Sequence, residues 1–284
     1  MINLPKNSDL DGMTAVVTGG SGVLCSEMAR VLAACGVKVA VLGRTLSKKE
    51  SVVSEVQANG GYAIGVQIDV LSKESIEAAH KEVMDDFGHV DILINGAGGN
   101  HQDGTAQKET VTSEDIASSL EGSFFDFKSA GVSHVFDLNF LSTVEVCQVF
   151  GESMAKAGCG SIINISSMSA YHPLTKVMSY SASKAAINSF TEWLAVHLAP
   201  TGVRVNAIAP GFFLTEQNRT LLTNANGSYT ARAEKIIAST PMDRFGDASE
   251  LSGALLWLAN PKSSGFVTGA IIPVDGGFNA FSGV

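Results

Sequence analysis

Tyr180 and Lys184 stand four residues apart in Tyr180-Ser181-Ala182-Ser183-Lys184, at the start of a segment whose pattern suits a helix. Residues i and i+4 lie one above the other on a helical face, so a phenol and an ammonium would share one small volume. A phenol titrates near pH ~10. A cation beside it favours the phenolate and moves it toward the range where it can exchange protons at neutral pH. The same spacing also arises by chance on exposed helix faces, where both groups are simply solvated. The elements around the pair decide between the two readings.

Thr14-Ala15-Val16-Val17 is a short apolar run that leads into Thr18-Gly19-Gly20-Ser21-Gly22, and a helical pattern follows from Val23 to about Ala34. Strand, glycine turn and helix form the first unit of a dinucleotide-binding fold. The glycines let the backbone approach a pyrophosphate, and the helix start turns free N–H groups toward it. Gly19, Ser21, Gly22, Val23 and Leu24 are the candidate contacts. A second strand, Lys38 to Leu42, ends at Gly43-Arg44-Thr45. A carboxylate at that position accepts from the adenosine ribose 2'-OH, whereas a base suits a 2'-phosphate. With no carboxylate there and a guanidinium at Arg44, NAD or NADP is expected with NADP mildly favoured, unless Arg44 is only a solvated loop residue.

The next strand, Ala63 to Ile68, ends in Asp69-Val70. Asp69 is placed to accept from an adenine amino group, or to cap the helix that begins near Ser72. That helix runs to Phe87. It delivers the chain to Val90–Ile94 and a small-residue loop, Asn95-Gly96-Ala97-Gly98-Gly99-Asn100, at the end of a strand where open α/β sheets bind ligands. From Asn100 to about His134 the alternation breaks into a polar stretch. Phe124, Phe125 and Phe127 argue that it is a packed, lid-like insertion rather than a disordered one.

A helix from Val135 to about Lys156 carries Asn139, a mediocre helix former that implies a buried hydrogen-bonding group or a kink. The strand Ser161 to Ile165 ends in Ser166-Ser167. The Ser167 hydroxyl is positioned to donate to a carbonyl oxygen beside Tyr180, although two serines also commonly just end a strand. The helix from Tyr180 to about Leu198 reads as buried on more than one side. A strand from Val203 to Ala209 then precedes Pro210-Gly211-Phe212-Phe213-Leu214-Thr215. A polar second lid from Glu216 to about Ser239, a helix from Ala248 to Ala259 and a strand from Ala270 to Val274 complete the pattern.

The chain of 284 residues shows no linker, repeat or composition shift, so a single domain spanning 1–284 is expected. Its 28 acidic and 19 basic residues give a net charge of -9, which argues against a nucleic-acid or anionic-membrane surface. The amino-terminal residues contain no apolar signal core and no window has the ~20 apolar residues of a membrane span, so a cytoplasmic protein is expected. Cys25, Cys35, Cys147 and Cys159 are far apart and lie in apolar surroundings, which suggests buried free thiols and no metal site.

Taken in order, Thr18-Gly19-Gly20, Asp69-Val70, Asn95-x-Ala97-Gly98, Asn139, Ser167, Tyr180-x-x-x-Lys184 and Pro210-Gly211 resemble the classical short-chain dehydrogenase/reductase family over essentially the whole chain. The resemblance implies a doubly wound Rossmann fold, with a seven-stranded parallel sheet flanked by helices and, here, two lid-like insertions. It also implies NAD or NADP in the crevice, hydride transfer between an alcohol and a carbonyl, and a homotetramer or homodimer. The catalytic set carried over is Asn139, Ser167, Tyr180 and Lys184. Tyr180 is the proton donor, Ser167 holds the carbonyl oxygen, Lys184 lowers the tyrosine pKa and binds ribose hydroxyls, and Asn139 anchors a water. The cofactor set adds Arg44, Asp69, Val70, Asn95, Ala97, Gly98, Pro210, Gly211, Phe213 and Thr215 to the glycine turn. The chain departs from the family pattern at Val23 and Cys25, where glycine is common, and at Gly96, where a second asparagine is common.

Within the family, Asn95 through His101 with its insertion, Pro210 through Arg219, and the segments Gly265–Gly269 and Phe281–Val284 resemble the D-mannonate oxidoreductase, or fructuronate reductase, branch. That branch implies a keto-sugar acid substrate, D-fructuronate reduced to D-mannonate. A polyhydroxy acid needs a cation for its carboxylate and donors for its hydroxyls, which makes Asn100, His101, His172, Lys176 and Arg219 the candidate contacts. Another keto-sugar acid, a 3-oxoacyl thioester, or a non-catalytic nucleotide-binding role are the alternatives.

Overall fold

The computed structural model describes residues 8–215, 219 and 222–283. Seven strands form one sheet: β1 (Thr14–Thr18), β2 (Lys38–Gly43), β3 (Ala63–Gln67), β4 (Ile92–Asn95), β5 (Gly160–Ile165), β6 (Val203–Pro210) and β7 (Ile271–Val274). Their order is β3-β2-β1-β4-β5-β6-β7, and every pair is parallel. Parallel neighbours need crossovers, and the helices that supply them cover both faces.

The central strands β1 and β4 read as apolar runs because they are buried on both sides, whereas β3 and β7 are only partly buried. Along β1, Ala15 and Val17 join the core packed under α1 (Val23–Ala34), α2 (Leu46–Ala58) and a late helix, whereas Val16 joins the opposite core under α3 (Lys73–Phe87). Ile92 and Ile94 face the first of these cores and Leu93 the second. Strand order reverses between β1 and β4, which opens a crevice at their carboxyl ends.

Several expectations change. Ser72, not Asp69, caps α3 by accepting from Ser75 N at 3.2 Å, while the Asp69 carboxylate accepts from Leu71 N. The capping oxygen must reach back into the first turn, and Asp69 lies three residues too early. The insertion is folded: α4 (Ser113–Ser118) starts with a Thr112–Asp115 capping box, and Gln107 N and Lys108 N both donate to Gly122 O. Its aromatic residues are not core, however. Phe124 and Phe125 are 62% and 69% exposed and pack edge to face with each other, because the insertion lies outside the sheet and is held by backbone bonds and caps.

The following helix begins earlier than Val135. It comprises α5 (Ser129–Phe136), a π-helical turn at Asp137–Leu141, and α6 (Ser142–Ala157). Helix α7 (Met178–Leu198) buries a stripe through Ser179, Ser183, Ile187, Thr191 and Ala195, but Ala185, Trp193 and Val196 face outward, so burial follows one face. Cys25, Cys35 and Cys147 are buried free thiols, but Cys159 is exposed because it follows the left-handed Gly158 at the surface end of α6. Of the second lid, α8 (Ala231–Ala238) is described, whereas Glu216, Gln217 and Asn218 lie outside the described residues. A further helix, α9 (Ser252–Ala259), packs on α1, and a single helical turn at Pro261–Ser264 follows it before β7. No described helix is long and apolar enough to cross a membrane.

Candidate active site

The glycine turn and the loop after β4 meet at the crevice. Gly19 has φ +64°, and a Cβ there would come within 2.9 Å of Ala97 N, so only glycine fits both the backbone and the neighbour. Gly22 caps α1 without a side chain, which leaves the first N–H groups of the helix, at Val23 and Leu24, open to the crevice. Ser21 Oγ lies against Gly43 at the end of β2, and Arg44 beyond it is exposed. The Thr18 hydroxyl accepts from Gly96 N at 3.1 Å and Ala97 N at 3.3 Å, which clamps the loop to β1. A bare helix start above a glycine-rich turn fits the pyrophosphate of a dinucleotide. Asp69 is exposed and Val70 buried, at the mouth of the same edge. The Asn95 side chain turns inward instead, donating to Asn164 Oδ1 and Cys147 Sγ, so it braces the sheet. Gly211 N donates to Val274 O, and Phe213 is buried against Gly246, with Thr215 half-buried beyond.

Asn139 is fully buried in the π-turn. Its Oδ1 accepts from Gly99 N at 3.1 Å, and its Nδ2 donates to Gly99 O at 2.7 Å and Val135 O at 2.8 Å. The buried group and the helix irregularity expected as alternatives therefore coexist. The first limb of the insertion continues along the same helix face: Gly99 packs on Leu138, His101 meets His134 at a tilt of 59° with ring centroids 5.0 Å apart, and Gly104 lies against Gly131.

Tyr180 sits in the first turn of α7, half-buried, with Lys184 Nζ 5.6 Å from its ring centroid. Ser167, at the end of β5, hydrogen-bonds to the phenol and accepts from Ser169 N at 3.1 Å. Lys184 is buried, donates to Ile165 O at 2.8 Å and points at the small-residue loop, where a Cβ on Gly98 would be 3.5 Å from Nζ.

The electrostatics differ from the expected pattern. Burial pushes the Tyr180 phenol above its ordinary value, and the hydrogen bond from Ser167 offsets part of that rise. Burial also pulls the Lys184 ammonium down to about 8. The expected lowering of the phenol by Lys184 is not found, because the ammonium stands over the ring and spends one proton on Ile165, which does not repay the phenolate for its lost hydration. Near neutral pH, Tyr180 is therefore a protonated acid beside a cation.

A model of the short chain dehydrogenase family matches residues 13–226. The chain belongs to that family. It is 56% identical over 282 residues to the uncharacterized oxidoreductase UxuB of Bacillus subtilis, covering 99% of this chain and 100% of the relative. A crystal structure from Haemophilus influenzae, described as a candidate D-mannonate oxidoreductase with bound NAD, is 44% identical with a TM-score of 0.92, covering 98% of this chain and 99% of that one. A 3-oxoacyl-[acyl-carrier-protein] reductase of Synechocystis is 32% identical, covering 96% and 99%.

This short-chain dehydrogenase brings Asn139, Ser167, Tyr180 and Lys184 together, while the outer candidates are more spread. Asn100 is exposed beside the loop, and His101 Nδ1 accepts from Asp103 N. His172 Nε2 lies 3.1 Å from Asn279 O, which joins the carboxyl-terminal segment to the loop before α7. Lys176 has φ +71°, an uncommon conformation for a side-chain-bearing residue, and lines a cavity of about 320 Å³ under the insertion with Glu109, Phe124 and Met178. Arg219 is exposed in the second lid, where its carbonyl takes the Thr223 N–H. Sequence reasoning missed Glu109, which meets Lys235 at 3.0 Å and Arg232 at 3.9 Å and so joins the insertion to α8. No local signal announces an ion pair between residues so distant in the chain. It also missed the Thr18 clamp, for which the hydroxyl at the very end of β1 was the available cue.

Proposed function

We propose that this enzyme interconverts a keto-sugar acid and its alcohol, with D-fructuronate and D-mannonate as the substrate pair. The reaction class is carried by one observation: a tyrosine kept protonated by burial, hydrogen-bonded to Ser167 and standing beside Lys184 at the edge of a dinucleotide cradle. A bound nicotinamide dinucleotide would supply or accept the hydride. In reduction, Tyr180 gives its phenolic proton to the oxygen of the former carbonyl, so the substrate carbon gains hydride and its oxygen gains the proton. Ser167 steadies that oxygen by donating a hydrogen bond. Lys184 supplies positive charge beside the phenolate that remains and would offer N–H groups to the ribose of a bound cofactor, while Asn139 fixes Gly99 and with it the loop after β4.

The sugar-acid reading is supported by the whole-length likeness to the Haemophilus protein at 44% identity. The same likeness supports NAD as the cofactor over NADP, because one exposed arginine at 44 is a smaller signal than identity along the entire chain. A 3-oxoacyl thioester is the second reading, favoured by the Synechocystis relative at 32% identity. The margin between those two figures ranks the readings.

The test follows reduced nicotinamide absorbance with D-fructuronate, other keto-sugar acids and a 3-oxoacyl thioester, each with NADH and NADPH. D-fructuronate should exceed the thioester in kcat/KM by at least about tenfold, and Tyr180→Phe should remove the activity by ~10²–10⁴-fold. A thioester preferred over every sugar acid would overturn the substrate assignment.

A further inference from the structure

The loop Asn95 to Gly99 threads a slot that is tight at Gly96 and Gly98. On one wall, a Cβ on Gly96 would overlap Cys25 Sγ outright and stand 3.0 Å from Thr18 O. On the other, a Cβ on Gly98 would stand 2.6 Å from Asn139 Oδ1 and 3.5 Å from Lys184 Nζ. Cβ atoms essentially never come within 3.0 Å of another atom, so a side chain at either position would have to displace Cys25 or Asn139. Cys25 belongs to the first turn of α1, is 5% exposed, and lies within the field of the Lys184 ammonium.

We infer that Cys25 is a positioning residue for the reaction: its thiol fills the volume under Gly96 and sets the height at which the loop meets Asn139 and Lys184. The thiol and a Cβ at 96 compete for the same space, so emptying position 25 removes the overlap that a side chain at 96 would make and leaves only its tight approach to Thr18 O. A thiol suits the place. It is small and packs as an apolar group without needing a hydrogen-bond partner. Burial also pushes it up to about 12, so it remains neutral beside the lysine and does not compete with Tyr180 for its field. The neighbouring wall is built the same way, since Gly19 has no side chain where Gly96 O approaches it. The loop height is therefore fixed from below by α1 and the glycine turn, and from above by the π-turn and α7.

The inference rests on the dehydrogenase chemistry and not on the substrate assignment, so it is tested without a sugar acid. The dissociation constant of the reduced nucleotide that the unchanged protein binds more tightly, NADH or NADPH, is measured by fluorescence for Gly96→Ala, Cys25→Gly and the double variant. Tm is recorded for each. Gly96→Ala should weaken binding by at least about tenfold, and the double variant should return to within about threefold of the unchanged protein. Cys25→Gly should weaken binding by about threefold, whereas Cys35→Gly, a buried thiol at the far end of α1, should lower Tm without moving the affinity. Unchanged binding in Gly96→Ala, or a double variant no better than Gly96→Ala, overturns the inference. If Gly96→Ala does not fold, a double variant that folds and binds supports it and one that fails as well refutes it.

Discussion

Replacing Lys184 with methionine should make the cofactor-free protein more stable while destroying its activity. The ammonium is buried, and burial holds it at about 8 against an ordinary value of 10.5. Between those two pH values the unfolded chain carries a proton that the folded one has lost, so stability rises with pH through that window and is lowest below it. At ~1.4 kcal/mol per pH unit the interval is worth about 3 kcal/mol. Methionine removes that cost but also the hydrogen bond to Ile165 O, worth about 1 kcal/mol, so a net gain of about 2 kcal/mol is expected at pH 7. The assay is urea denaturation of both proteins from pH 7 to 10.5, taking the difference between them so that other groups titrating in the range cancel. The advantage of Lys184→Met should shrink as pH rises and reverse by the top of the window. A variant less stable than the parent at pH 7, or a difference flat across the range, would show that the lysine is not held against a burial cost.

Ser167→Ala should lower kcat by ~10²–10³-fold while leaving NADH affinity within about twofold, as steady-state kinetics and fluorescence titration will report. Asn139→Ala strands Gly99 N and Gly99 O and should cost about 3 kcal/mol in urea denaturation, with weaker cofactor binding because the loop is released. Arg44→Ala should raise KM for NADPH by about tenfold and change KM for NADH by less than about twofold. Equal effects on both would remove Arg44 from the adenosine site. The rate of carbonyl reduction should decline as pH passes about 8, where Lys184 loses the charge that stabilises the phenolate left after proton transfer, and initial velocities across pH 6.5 to 9.5 will check it.

The sheet was legible because its central strands are buried on both faces. Thr14–Thr18 and Ile92–Asn95 are short, mainly apolar runs in the sequence, Val203–Pro210 is one despite the buried Arg204 and Asn206 within it, and the residues that follow them arrive at one edge. The site was legible to the extent that it consists of strand ends and one helix start: Thr18, Ser167 and Tyr180 are fixed by the sheet, and spacing along the chain reports their place. What escaped depends on surroundings that spacing does not encode. The direction of the Tyr180 shift is set by how much water the phenol loses, not by the distance to Lys184. Phe124 and Phe125 signal a packed insertion from composition, but their exposure depends on the insertion lying off the sheet, which composition does not encode. The early start of α5 at Ser129 was hidden by Gly131, which reads as a breaker yet is required for the close approach of Asp103 and Gly104.

The π-turn at Asp137–Leu141 gives the segment a tolerance of its own. It accommodates one residue more than a regular helix would, and α5 and α6 keep phase with their separate partners across it. Gly131, His134 and Leu138 face the insertion on one side of the turn, and Val146, Phe150 and Met154 face the sheet on the other. Removing one residue between 137 and 141 would therefore let the helix run regularly with little net rotation of α6 against α5, at the cost of the widened turn that presents the Asn139 side chain to Gly99. A one-residue deletion in this stretch should be tolerated by the packing of both helices and felt at the loop after β4.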